Sequence, residues 1–318
     1  MGTIDSKYYK LVVLARSFAK VSVKPIEFLR NNGFSVELKR NHLVNEEEKV
    51  SELIGDADAA IIGSDKIGTL VFDRCKNLKL LSKHGVGMDN INLEGARERG
   101  IIVTNTPGAN HESVADLTWL LIMAASRNFL SVCDNVKQMN WNSSGLGQEV
   151  HQKTIGIIGY GRIGKAVAKR AVGFENKVLV YDSAVECLEP VCGLDIRKVS
   201  FETLLKESDI ISLHAPLTTE TAGLLDEQAF TIVKSGVIIV NTSRGELIDE
   251  NALYKALVSG RVKAAALDVF VQEPPIGNPL LTLKNVIPTP HIGTHTEESN
   301  FRMGMMAAEN VVNYFKTL

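Results

Sequence analysis

The stretch TIGIIGYGRIGKAVAKRAVGFENKVLVYD, residues 154–182, decides how the rest of the chain reads. Its first five residues, 154–158, form an apolar run with the length and composition of a buried parallel strand. Gly159, Gly161 and Gly164 follow at the spacing G-x-G-x-x-G. From Arg162 onward, Ile163, Val167, Ala168 and Ala171 recur on one helical face. A second apolar run, 177–181, ends on Asp182. Strand, glycine turn, helix, strand and acid in this order make a dinucleotide-binding unit.

Each part of that unit has a physical job. Gly159 permits a tight turn, Gly161 lets the backbone approach a pyrophosphate, and Gly164 lets the helix lie near the strand. The helix start at Arg162 and Ile163 offers N–H groups and a positive dipole end to phosphates. Asp182 is placed to accept hydrogen bonds from an adenosine ribose, and it repels a 2′-phosphate. Ser183, Ala184 and Val185 after it supply no cation, so the expected cofactor is NAD rather than NADP. The three glycines alone could be plain turn residues; the strands, helix and acid around them carry the reading.

At 318 residues the chain exceeds the usual single-domain size, so two domains are expected. A net charge of −2 leaves no basic footprint for nucleic acid, and no charge block marks a disordered tail. The polar start and the short apolar run 11–15 do not make a signal peptide, and the apolar helix near 117–125 is too short to span a bilayer. Cys75, Cys133, Cys187 and Cys192 form no C-x-x-C pair and are expected to be reduced. A cytoplasmic protein that binds neither membrane nor nucleic acid is expected.

Ahead of the glycine motif, strands are expected at 11–15, 35–38, 59–62, 78–82 and 101–103, with helical patterns between them. That alternation predicts a parallel, flavodoxin-like sheet lacking the glycine motif. Asn105 to Gly108 read as a turn before a helix over 113–126, and 128–147 as an irregular arm. After Asp182, strands are expected at 210–214, 237–240, 264–269 and 286–287, with helices over 250–258 and 296–315. The fold class is α/β: two Rossmann-like or flavodoxin-like parallel-sheet domains with a cleft between them.

In open parallel sheets, ligands lie beyond the carboxyl ends of the strands. Arg244, Glu273 and His291 all fall at such ends. A guanidinium fork holds a carboxylate bidentately, and a histidine can take or give a hydroxyl proton near neutral pH. A carboxylate beside the histidine would orient its ring and stabilise the imidazolium. Singly, these residues also read as a surface ion pair, a loop charge and a helix cap. Their joint placement points to a dehydrogenase of 2-hydroxy acids. His295, four residues past His291, lacks a third ligand partner, so no metal is expected. His84, His111 and His151 read as loop or packing histidines.

The segments HGVGMDNINL (84–93), NTPGAN (105–110) with SVAD after it, and GIIGYGRIGKAVA (156–168) extend this reading, as do LHAPLT (213–218), NTSRGELID (241–249), ALDVF (266–270) with EPP after it, and TPHIG (289–293). Together they resemble the D-2-hydroxyacid dehydrogenase family, in its phosphoglycerate-dehydrogenase-like branch. The resemblance implies that Arg244 binds the substrate carboxylate, that His291 is the acid/base and that Glu273 is its partner. It implies a nicotinamide contact at Asp268 and substrate contacts from the backbone at Val86 and Gly87. Pro216 and Thr242 are further expected cofactor contacts, and His214, at a strand end, reads either as lining the cofactor cleft or as a packing residue. Glu rather than Gln at 273 sets the chain apart from the formate dehydrogenases of the superfamily.

The resemblance also implies a discontinuous substrate-binding domain, 1–104 with 294–318, and an NAD-binding domain over 105–293. It implies a homodimer paired through the cofactor domain and its arm. The short extension past the last helix leads us to expect no regulatory domain. For substrate, 3-phosphoglycerate/3-phosphohydroxypyruvate is the first expectation, which would place the protein in serine biosynthesis. The Arg that often follows the third strand in phosphoglycerate dehydrogenases is replaced by Gly63-Ser64, leaving Lys66 or Lys83 for a phosphate. Glyoxylate, hydroxypyruvate or a branched 2-keto acid are the alternatives. An NAD(H)-sensing binding protein, like the co-repressors related to this family, is the alternative of another class.

Overall fold

The computed structural model describes residues 8–40, 46–141 and 145–317. Contacts divide the chain into two units, Met1–Asn110 with Thr294–Leu318, and His111–Gly293. Both are α/β, each built on a single parallel sheet. Among the described residues no helix is long and apolar enough to cross a membrane.

The first unit holds β1 (Tyr9–Val13), β2 (Phe34–Leu38), β3 (Ala59–Ile62), β4 (Leu80–Lys83) and β5 (Ile102–Thr104). Their order, β2-β1-β3-β4-β5, is the flavodoxin-like one. Alternation along the strands builds two cores, one on each face. Leu11, Val13, Ala59, Ile61 and Leu80 face one layer, while Val12, Ala60, Ile62 and Leu81 face the other. The helix Glu297–Phe315 completes the first layer with Ala307, Ala308, Val311, Val312 and Phe315. The Ser82 hydroxyl donates to its Ala307 carbonyl at 3.0 Å.

Residues 105–110 belong to this first unit, which moves the boundary from the expected 104/105 to 110/111. The reason is a set of ties. Thr106 is bonded through its N–H and hydroxyl to Gly85, Asn310 Nδ2 donates to the Asn105 carbonyl, and Arg302 Nε donates to the Ala109 carbonyl.

The second unit holds β6 (Thr154–Ile158), β7 (Lys177–Tyr181), β8 (Asp195–Lys198), β9 (Ile210–Leu213), β10 (Val237–Asn241), β11 (Val262–Leu267) and β12 (Val286–Pro288). All run parallel, in the order β12-β11-β10-β9-β6-β7-β8. The order reverses between β6 and β9, the switch point where such sheets bind dinucleotides. On one face the helices His111–Ser126 and Arg162–Ala171 pack together, with Trp119 Nε1 donating to the Val167 carbonyl at 3.0 Å.

Two elements differ from the sequence reading. β8 (DIRK) is a charged, exposed edge strand without an apolar run to announce it. The arm 128–147 contains a helix, Phe129–Lys137, that buries none of its residues. Its apolar side chains recur at helical spacing, but a helix without a buried face is hard to separate from a loop by composition. Asn142, Ser143 and Ser144 of the arm lie outside the described residues.

Candidate active site

The glycine turn sits between β6 and the helix Arg162–Ala171, at the switch point of the second sheet. Gly159 has φ +91°, and a Cβ there would lie 2.5 Å from the Ala215 nitrogen. A Cβ on Gly164 would lie 2.2 Å from the Gly159 carbonyl oxygen. Gly161 is different: a Cβ there would meet nothing within 4 Å, and the residue is exposed. Two glycines therefore let the turn close, while the third leaves open space at a helix N-terminus, where a pyrophosphate fits. Arg162 and Ile163 open that helix. Asp182, directly after β7, accepts from the N–H groups of Tyr160 (2.6 Å), Ala184 (2.8 Å) and Val185 (3.1 Å). The acid thus fixes the glycine turn against the next strand.

Other residues expected to meet the cofactor are placed less simply. Pro216, after β9, is exposed, and its carbonyl accepts from Thr221 Oγ1. His214 is buried, with Nε2 at 2.8 Å from the Ser212 hydroxyl. Burial pushes its pKa down to about 3, so the ring is neutral at physiological pH. The ring is packed inside the unit, at the end of β9. Thr242 is also buried, its hydroxyl 3.0 Å from that of Thr118.

Arg244, Glu273 and His291 follow β10, β11 and β12, at the carboxyl ends of three neighbouring strands. A tight turn presents Arg244. Asn241 Nδ2 donates to the Arg244 carbonyl at 2.7 Å, and the Ser243 hydroxyl donates to the Ala215 carbonyl at 2.7 Å. Gly245 then passes so close to the β11 loop that a Cβ would lie 2.0 Å from the Phe270 carbonyl carbon. In that loop Glu273 accepts from the Phe270 N–H at 3.2 Å through Oε1, while Oε2 lies 2.9 Å from His291 Nδ1.

His291 has φ +53°, in the left-handed region, and its turn is held from below by Asp268. One Asp268 oxygen accepts from the Thr289 hydroxyl (2.7 Å) and the Ile292 N–H (2.8 Å), and the other from the Gly293 N–H (2.8 Å). Asp268 is 1 % exposed, and burial pushes its carboxyl up from the usual range. Through those three bonds it acts in this fold as the anchor of the histidine turn. Thr289 and Gly245 have no individual signal in the sequence, although both lie inside the family segments.

The electrostatics of the pair follow from these contacts. The hydrogen bond to Glu273 raises the pKa of His291 above its ordinary value; burial and the Arg244 charge oppose, while Asp268 assists. Burial pushes Glu273 up, but His291 and Arg244 together hold it below the usual carboxylate range. With Nδ1 turned to Glu273, the half-exposed ring offers Nε2 to a ligand.

Within the first unit, Val86 and Gly87 follow β4, and the Val86 carbonyl accepts from Asn105 Nδ2 at 2.8 Å. Lys83 is buried, and its ammonium donates to the Gly63 carbonyl (2.5 Å) and to Asn90 Oδ1 (2.7 Å). It therefore ties the ends of β3 and β4 together. Lys66 is exposed and lies 3.6 Å from Glu47.

The description "D-isomer specific 2-hydroxyacid dehydrogenase, NAD binding domain" matches residues 119–293. A D-3-phosphoglycerate dehydrogenase of Archaeoglobus fulgidus is 41% identical over 300 residues, 94% of this chain; the chain spans only 56% of that protein. A hydroxypyruvate reductase of Thermotoga maritima is 42% identical over 285 residues, 88% of this chain and 91% of that one. A solved structure of a Thermus thermophilus protein superposes with a TM-score of 0.87 at 37% identity, covering 97% of each chain. The chain belongs to the D-isomer specific 2-hydroxyacid dehydrogenase family, whose members are NAD-dependent oxidoreductases.

Proposed function

We propose that the protein transfers hydride reversibly between NAD and a small, unphosphorylated D-2-hydroxy acid, of the hydroxypyruvate and glyoxylate kind in the reducing direction. The observation that carries the reading is the 2.9 Å contact of His291 with Glu273 on the rim that also presents Arg244. Bound NADH would supply the hydride that reduces the carbonyl carbon. Arg244 holds the carboxylate of the keto acid and polarises its carbonyl oxygen. His291 gives that oxygen a proton from Nε2, while Glu273 keeps the ring oriented and favours its protonated form. In the oxidising direction His291 takes the hydroxyl proton.

The choice of an unphosphorylated acid rests on Lys83. Its ammonium is bonded inside the first unit rather than offered as a phosphate anchor. A second reading, 3-phosphoglycerate/3-phosphohydroxypyruvate, is favoured by the 41% identity to a D-3-phosphoglycerate dehydrogenase and by exposed Arg16 just past β1. NADH oxidation followed optically with hydroxypyruvate, glyoxylate, pyruvate, a branched 2-keto acid and 3-phosphohydroxypyruvate separates them. The highest kcat/KM on an unphosphorylated acid is expected; a strong preference for the phosphorylated one would replace the first reading with the second. No turnover on any keto acid, with NADH still bound, would favour an NAD(H)-sensing protein.

A cytoplasmic homodimer is part of the proposal. The arm leaves Phe129, Met139, Trp141 and Leu146 exposed, the last three by 94%, 89% and 93%. Apolar side chains on that scale are what a partner subunit covers. Light scattering should give twice the chain mass, and Trp141→Ser with Leu146→Ser should shift it toward the monomer.

A further inference from the structure

Glu250 opens the helix Glu250–Val258, immediately after Asp249, whose carboxylate caps that helix by accepting from the N–H groups of Asn251 and Ala252. The cap fixes where the Glu250 side chain starts. Its carboxylate then reaches across to the loop after β11. Oε1 accepts from the Val271 N–H at 3.0 Å, and Oε2 accepts from Asn278 Nδ2 at 2.7 Å. These contacts lie at the two ends of the segment 271–278, and Glu273 lies inside it.

Packing does little to hold this segment. Val271 is 51% exposed and Ile276 is 80% exposed, so its apolar side chains point to solvent rather than into a core. Inside the segment the backbone bonds are short-range, Ile276 N–H to the Pro274 carbonyl and Asn278 N–H to the Pro275 carbonyl. Buried apolar anchoring resumes only at Leu280. Glu273 must nevertheless be held within hydrogen-bond range of His291, which sits on a separate turn pinned by Asp268. A charge-assisted clamp on an otherwise solvent-facing loop meets that requirement.

We propose that Glu250 is a positioning residue: its carboxylate closes the loop 271–278 at both ends and thereby holds Glu273 against His291. It touches neither substrate nor cofactor, and its part in the reaction rests on the reading of His291 and Glu273 as the acid–base pair. A glutamine at 250 keeps the volume but has one acceptor oxygen for two donors, so one end of the loop is released. Glu273 then spends less time at His291. The charged groups acting on that ring are Glu273, Asp268 and Arg244. Weakening the first leaves the opposing Arg244 charge less balanced.

The test is an NMR titration of the intact protein carrying 13C-labelled histidine, with the His291 resonance identified by its loss in His291→Asn. Glu250→Gln and Asn278→Ala, which cut opposite halves of one clamp arm, should each lower the His291 midpoint by at least about half a pH unit. Added to Glu273→Gln, Glu250→Gln should produce no further displacement, because its effect passes through Glu273. A midpoint unchanged in folded Glu250→Gln and Asn278→Ala protein overturns the inference, and so does an additive displacement in the double variant. The titration reads position without catalysis. A lowered midpoint with unaltered turnover would support the clamp while sinking the acid–base reading.

Discussion

His291 Nδ1 lies 2.9 Å from Glu273 Oε2, and the contact joins turns that follow two different strands, β12 and β11. The pair shifts each member toward its charged form, His291 upward and Glu273 downward. Reduction of a keto acid needs the protonated ring. Reduction should therefore persist above the ordinary histidine value of 6.5 and fall as pH rises through the raised one. In Glu273→Gln that fall should come at lower pH, as read from kcat/KM against pH. The pair's own contribution to stability has the matching window. It is present in full between 4.5 and 6.5, and is lost as pH falls through the depressed Glu273 value or rises through the raised His291 value.

Removal of the ring is the plainest test of its role. His291→Ala should lower turnover by ~10²–10⁴-fold, the range for a lost general acid–base catalyst. Affinity for NADH, read by fluorescence, should hold, because the glycine turn and Asp182 are untouched. Turnover within a factor of about two of the parent would take His291 out of the mechanism.

Arg244→Lys keeps the charge and loses the fork. With one of two charge-assisted bonds to the substrate carboxylate gone, kcat/KM for the keto acid should fall by about 10–100-fold, matching ~1.5–3 kcal/mol. NADH affinity should not follow it. An unchanged kcat/KM would mean that the carboxylate is anchored elsewhere, and would count against a 2-hydroxy acid as substrate.

The glycine motif can be dissected because its members meet different surroundings. Gly161→Ala adds a methyl group where nothing lies within 4 Å, so the protein should melt at its usual temperature. The same methyl group stands where a pyrophosphate approaches, and NADH affinity should drop by about tenfold, or ~1.4 kcal/mol. Gly164→Ala drives a methyl group to 2.2 Å from the Gly159 carbonyl oxygen and should cost about 1–3 kcal/mol of stability. Equal effects of the two substitutions on melting would contradict this division of roles.

Much of this architecture is legible in the amino-acid sequence. The strands 59–62, 154–158 and 177–181 are buried in parallel sheets, so their apolar runs coincide with the strands residue for residue. The placement of Arg244, Glu273 and His291 is legible for a related reason: the turns and loops that follow such runs fall at strand ends. β8 is not legible, because an exposed edge strand such as DIRK needs no apolar residues. Nor is the inward turn of Lys83, whose partners Gly63 and Asn90 are neighbours only once β3 and β4 pair. Asp268 shows the same limit. Its strand-end position is evident, but its bonds to Thr289, Ile292 and Gly293 exist only after β11 and β12 align.

Two histidines outside the proposed chemistry make the fold acid-sensitive. His84, in the first unit, is 7% exposed and 5.8 Å, centroid to centroid, from the Phe18 ring; burial pushes its pKa down to about 4. His214, in the second unit, is lowered to about 3 by the same cause. Both fall below the unfolded value of 6.5, so the unfolded chain binds protons first as pH drops. The stability tied to the neutral rings is complete above 6.5 and erodes below it, by about 2 kcal/mol for each histidine at pH 5. Melting temperature should therefore decline between pH 6.5 and 5. The decline should be shallower in His84→Gln and in His214→Gln, whatever the absolute melting temperature of either variant. A slope identical to the parent's in both would place the acid sensitivity in other groups.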